Sequence, residues 1–173
     1  MMKVILSLFG IYFLLLITMY FAQEKLIFFP QKLNKEHKFR FSSTSEEILI
    51  PVDEGVLHAL AFEAPKSVGT IIYFHGNAGS LESWGHVYDD FKNLNYNLFI
   101  IDYRGYGKSS GNISSEFQLQ QDAKAVFLAA KNRFPEHRLV FYGRSIGTGI
   151  ASWLATQQTP SLLILESPYF NLP

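Results

Sequence analysis

Hydrophobic and polar positions fall into three regimes along the chain. Val4 to Ala22 is an apolar run without a charge, preceded by Lys3. As a helix it suits a bilayer core of ~30 Å, which takes about 20 residues. From Gln23 to Ser45 aromatic and basic residues mix. Phe28-Phe29-Pro30 and Phe39-Arg40-Phe41 suit a membrane interface, and Ser42-Ser43-Thr44-Ser45 reads as a loop. From Glu46 onward, short apolar runs alternate with stretches of helical period.

That last region predicts six strands. Glu47 to Val52 and Val56 to Ala64 form a hairpin about Asp53-Glu54-Gly55. Thr70 to Phe74 is apolar enough to be covered on both faces, and Leu98 to Ile101, Leu139 to Tyr142 and Leu162 to Leu165 follow. Between them lie three helices. The first opens after Ser80, with Leu81, Trp84, Val87, Tyr88, Phe91 and Leu94 on one face. The second starts near Ser115, which forms a capping-box-like Ser-x-x-Gln with Gln118. Leu119, Ala123, Val126, Phe127, Ala130 and Phe134 line its inner face, and Pro135 stops it. The third runs to about Gln157. Strands alternating with helices predict an α/β fold with a mostly parallel sheet and helices on both faces.

Composition narrows the function. The 173 residues have room for one domain with a real core. Equal numbers of basic and acidic residues argue against a nucleic-acid partner. Without cysteine there is neither a disulfide framework nor a thiolate metal site, and no cofactor motif is evident. The apolar run reads as an uncleaved signal anchor, because bulky Tyr20 and Phe21 precede Ala22 where a cleavage site wants small residues. A cleaved signal peptide is the alternative. Lys3 and Lys25 flank the run almost evenly; the short N-terminus with Lys3 favours N-inside, with the globular part on the non-cytoplasmic side. Asn112-Ile113-Ser114 fits a glycosylation acceptor, which matters only in a secretory pathway.

Candidate chemistry centres on Gly143-Arg144-Ser145-Ile146-Gly147, between an apolar strand and a helix opening. A serine hydroxyl attacks only if it stands clear of the backbone, so the turn must be tight, with glycines two positions to either side. The N–H of Ile146, at the start of the helix, then faces the place where an oxyanion would develop. Two other Gly-containing loops, His75-Gly76-Asn77-Ala78-Gly79-Ser80 and Asp102 to Gly111, follow strands whose ends share one sheet edge, where ligands bind in open α/β sheets. Two decoys fail. Gly107-Lys108-Ser109 lacks the phosphate loop's first glycine, since position 102 is Asp. Gly147-Thr148-Gly149 lacks a dinucleotide site's third, since position 152 is Ser.

Taken in order, His75-Gly76-Asn77-Ala78-Gly79, Asp102-Tyr103-Arg104-Gly105-Tyr106-Gly107-x-Ser109 and Gly143 to Gly149 resemble the α/β-hydrolase superfamily from roughly Glu46 onward. The nearest likeness is to its membrane-anchored serine hydrolases, of serine aminopeptidase-like and acyl-hydrolase type. The resemblance implies Ser145 as nucleophile, an oxyanion hole from the Ile146 amide and the Asn77 amide, and a small-molecule or acyl substrate. It divides the chain into an anchor (1–25), a linker (26–45) and the N-terminal part of a hydrolase domain (46–173). It makes Asp102 and His75 structural.

One departure stands beside the match. The family places its acid after the seventh strand and its histidine after the eighth, and a serine without an adjacent base stays protonated. His37, His58, His86 and His137 read as solvated or packed, and Glu166 as structural. Without later strands, Leu162 to Leu165 would be a bare apolar edge. The chain is therefore expected to be part of a longer hydrolase, to be completed by another polypeptide, or to be a degenerate product. The activity expected is ester, thioester or amide hydrolysis through Ser145; a non-catalytic membrane-anchored remnant or binding module is the alternative.

Overall fold

A computed structural model describes residues 2–135 and 138–169, and within these all side chains except those of 21–27. His137 lies outside the described residues. Helix α1 (Met2–Ile27) opens the chain. Its segment Met2–Tyr20 has a mean hydropathy of 2.2 and is exposed along its length, and it is long and apolar enough to cross a membrane. The short strand β1 (Phe29–Pro30) follows.

The domain is built on a six-stranded sheet. Strands β2 (Ser45–Val52) and β3 (Gly55–Phe62) form the predicted hairpin, closed by Asp53 and Glu54, with Glu54 at φ 54°. After them come β4 (Thr70–Phe74), the short β5 (Ala78–Gly79), helices α2 (Leu81–Trp84) and α3 (Tyr88–Phe91), and β6 (Asn97–Asp102). Helix α4 (Glu116–Arg133), β7 (Leu139–Arg144), α5 (Gly147–Gln157) and β8 (Leu162–Glu166) complete it. The order across the sheet is β2-β3-β6-β4-β7-β8. Pairing is antiparallel as far as β6 and parallel from there.

Alternate residues of the central strands feed two cores. Ile72, Phe74, Phe99 and Phe141 pack under α4 and α5 with Ala123, Val126, Ala151 and Leu154. Ile71, Tyr73, Leu98 and Ile100 face Leu81 and Tyr88 on the other side. Ser115 caps α4 by accepting from the Gln118 amide at 3.1 Å, while Gln118 Oε1 accepts from Ser114 rather than from the cap itself.

Two expectations are corrected. The single helix over 81–94 is broken into α2, α3 and the 3₁₀ turns Gly85–Val87 and Lys92–Leu94. The ring of Phe41 occupies the space that a side chain at position 85 would need, and the chain tightens there to i→i+3 bonding. Leu94 is consequently exposed rather than on the inner face. Nor do Phe39 and Phe41 sit at a membrane interface: Phe39 stacks on His58, and Phe41 packs edge-on against Phe62.

His58 is buried, and its Nε2 lies 2.7 Å from Glu47 Oε2, which also accepts from Lys108 Nζ at 2.7 Å. Burial pushes the imidazole below its ordinary value of 6.5, outweighing the opposite pull of Glu47. The folded state therefore binds fewer protons than the unfolded chain. This contribution to stability is complete above pH 6.5 and is lost as the pH falls through the lowered value. Thermal unfolding followed by circular dichroism is expected to show Tm falling between about pH 7 and about pH 5, with a flatter slope in His58→Gln.

Strand β8 is the sheet edge among the described residues, with Leu162 and Leu165 exposed. Residues 24–173 expressed without α1 are expected to elute as aggregate or chaperone-bound on size exclusion, and Leu162→Lys to raise the soluble fraction. A monomeric peak of the unaltered sequence would show the edge to be harmless.

Candidate active site

A tight turn at Ser145 joins β7 to α5. Ser145 has φ 51°, a left-handed conformation that a residue with a side chain adopts only when the surrounding structure holds it there. Its carbonyl accepts from the Thr148 amide at 2.9 Å and the Thr148 hydroxyl at 2.6 Å, and its amide donates to the Glu166 carbonyl at 2.9 Å. A side chain at Gly143 would strike the backbone of Gly147 and Thr148, and one at Gly147 would strike the carbonyls of Phe74 and His75. The turn is thus pressed against the end of β4. Ser145 is half-buried, and the Ile146 amide donates to no backbone carbonyl in the turn.

The loop after β4 is held from several sides. His75 is fully buried between Trp84 and Tyr103, with its Nδ1 2.6 Å from the Gly76 carbonyl. A carbonyl only accepts, so Nδ1 carries the proton. That carbonyl shares its peptide plane with the Asn77 N–H, so the imidazole fixes where the Asn77 amide points. The next peptide is held as well: the Asn77 carbonyl accepts from Tyr106 Oη at 2.7 Å and from the Phe29 amide at 2.9 Å. Tyr103 Oη donates to the His75 carbonyl at 2.7 Å. Gly76 lies between Ser145 and the Trp84 indole, so the two loops meet there.

Asp102, His75 and Glu166 are each held by neighbouring groups. Asp102 is fully buried, its Oδ1 accepts from the Leu81 amide at 3.0 Å, and His75 Nε2 stands 3.5 Å from it. Gly107, at φ 47°, closes over its other oxygen, against which a side chain would collide. The loop after β6 is tied down by Arg104, which forms a buried two-pronged pair with Asp122 at 2.7 and 2.8 Å. Glu166 accepts from Tyr142 Oη at 2.9 Å and pairs with Arg144 at 3.2 Å. His37 pairs with Glu82 at 2.6 Å. Among the described residues no histidine hydrogen-bonds to Ser145. Sequence reasoning missed the pairing of Phe29 with the Asn77 loop; no local pattern encodes a strand two residues long.

Residues 65–173 match the family described as serine aminopeptidase, S33. The chain belongs to this family. Among curated relatives, it is 34% identical over 153 residues to protein bem46 of Schizosaccharomyces pombe, covering 83% of this chain and 48% of that one. It is 38% identical over 109 residues to the lysophosphatidylserine lipase ABHD12 of Gallus gallus, covering 59% and 28%. The chain therefore spans about half the length of the first relative and less of the second. In fold it is similar to an esterase of Pyrococcus furiosus, with a TM-score of 0.66 at 21% identity over 82% of this chain and 56% of that one. A serine hydrolase of Xanthomonas campestris described as lacking a lid gives a TM-score of 0.60 at 20% identity, covering 75% and 63%. These likenesses, with the parallel sheet and flanking helices, make the fold that of an α/β hydrolase.

Because Gly147 touches backbone rather than a yielding side chain, Gly147→Ala is expected to cost roughly 1–3 kcal/mol. The change is measured as a lowered urea midpoint at unchanged slope.

Proposed function

We propose that the protein is a membrane-anchored serine hydrolase that cleaves an ester, thioester or amide of a small-molecule or acyl substrate through Ser145. The observation that carries this reading is the left-handed Ser145 turn facing a loop whose amides are held in place by His75, Tyr106 and Phe29. In the proposed reaction a base takes the Ser145 proton as Oγ attacks the substrate carbonyl. The Ile146 and Asn77 amides receive the oxyanion; its collapse breaks the bond to the alcohol, thiol or amine, which leaves with the proton the base had taken. Water, giving a proton to the base, then cleaves the acyl–Ser145 ester to free the acid and restore the hydroxyl. His75 is not assigned as that base: its ring is fully buried between aromatics and its Nε2 stands 3.5 Å from Asp102 Oδ1, with no hydrogen bond to Ser145. Acid and base then come from outside the described residues, in the family's positions after its seventh and eighth strands. Helix α1 spans the membrane, and the domain lies on the non-cytoplasmic side.

An oxyanion hole and binding alone retain ~10³–10⁴-fold catalysis over water when triad members are absent. The 173-residue chain is therefore expected to react very slowly, or not at all, with a fluorophosphonate probe. A chain supplemented with strands that carry the acid and histidine is expected to label rapidly, and Ser145→Ala to abolish labelling. Labelling that survives Ser145→Ala would overturn the nucleophile; no labelling of the supplemented chain would favour the non-catalytic binding module.

A further inference from the structure

The segment that leaves α1 is stitched to the loops that follow β4 and β6. The Phe29 amide donates to the Asn77 carbonyl at 2.9 Å and the Gln31 amide to the Gly79 carbonyl at 2.9 Å, so that β1 and β5 pair in parallel. Gly107 then donates to the Gln31 carbonyl at 2.8 Å and accepts from the Leu33 amide at 2.9 Å. The Ser80 hydroxyl adds a bond to Gln31 Oε1 at 3.3 Å. A segment bound in this way is no flexible tether.

Covalent geometry now limits where the site can be. Helix α1 ends at Ile27, and Phe29 is two residues further on. Two residues span at most ~7 Å, so the Asn77 loop stays within roughly 10 Å of the helix end at any tilt. With Val4 to Ala22 in the hydrocarbon core, the five helical residues from Gln23 to Ile27 rise ~7.5 Å, about the depth of one headgroup layer.

The surface of the same edge supplies an independent observation. Outside α1, the described aromatic side chains that are most exposed are Phe29 at 55%, Phe117 at 69% and Tyr169 at 36%. All three lie on the edge that carries Ser145: in β1, in the first turn of α4 after the β6 loop, and just past β8. The opposite edge exposes the aliphatic Val68 and Leu94. Aromatics with one apolar face and a place at a wet boundary are what a headgroup layer accommodates.

We infer that the sheet edge bearing Ser145 and the Asn77 loop is docked on the lipid headgroup layer, held there by the bonded Phe29–Leu33 segment. This rests on α1 spanning the membrane, as proposed above, and not on hydrolysis. The partner surface is the bilayer in which α1 is anchored, and the mouth of the site opens on it.

The chain has no cysteine, so single labels can be placed without background. The full chain is reconstituted in phosphatidylcholine vesicles containing a headgroup nitroxide lipid. An environment-sensitive fluorophore is attached in turn to Ala78→Cys and Ser114→Cys, exposed on the proposed face, and to Val68→Cys on the far edge. Thr70–Phe74 alone separates the two edges by ~16 Å. Quenching is expected to be several-fold stronger at 78 and at 114 than at 68. Equal quenching at all three sites, or stronger quenching at 68, overturns the docking. Alkaline carbonate extraction of the same vesicles separates the two readings. Protein retained with equal quenching refutes only the docking, whereas protein released into the supernatant refutes the anchor and the docking together.

Discussion

A serine held at φ 51° between a strand and a helix is the constraint on which the rest of this domain depends. The conformation is unfavourable for a residue with a Cβ, and it persists because its surroundings leave the chain no other course. Gly143 and Gly147 let α5 fold back so closely that Gly147 lies against the carbonyls of Phe74 and His75. That contact joins the turn to the end of β4, so Ser145 and the loop opposite it share one wall. The amide of Ser145 is pinned in turn to Glu166 at the end of β8.

The loop opposite is less self-sufficient. A short loop rich in glycine has little conformational preference of its own, and here its order is imposed by side chains from elsewhere. His75 aims one peptide, Tyr106 and Phe29 hold the next, and Tyr103 holds the carbonyl before them. The tyrosines are placed by the Asp102–Gly107 loop, which is itself secured by the buried Arg104–Asp122 pair. Burial raises the Tyr103 phenol well above its ordinary value and raises Tyr106 likewise, so both remain donors at any physiological pH. The site is thus a stack of supports, the outermost of which is the chain that has just left α1.

Much of this was legible in the sequence because local pattern carries it. Strand Thr70–Phe74 coincides with its predicted bounds, and the helix Gly147–Gln157 ends where the sequence places its end. Strand composition and turn chemistry act over a few residues, and the fold's own twist leaves few ways to connect such units. The tight turn at Ser145 was readable for the same reason: two glycines, a serine and a helix start are a local demand on the backbone. The assignment of His75 and Asp102 to the scaffold came from the family resemblance, and their burial agrees with it.

Tertiary structure alone decided the rest. Gly85 breaks a helix whose apolar period runs on through it, because the ring of Phe41, far away in sequence, claims the space. The fate of Phe39 and Phe41 turned on the same point: an aromatic beside a membrane segment suits an interface or a core equally well until a partner surface exists. Phe29 and Gln31 pair with Asn77 and Gly79 through backbone groups, which every residue but proline carries alike, so side-chain pattern cannot announce the pairing. By itself the sequence determined the elements and the turn at Ser145, since these answer to neighbours a few residues away. Which distant backbone and which distant ring would hold that turn and its facing loop was settled only when the folded chain brought them within hydrogen-bonding and van der Waals reach.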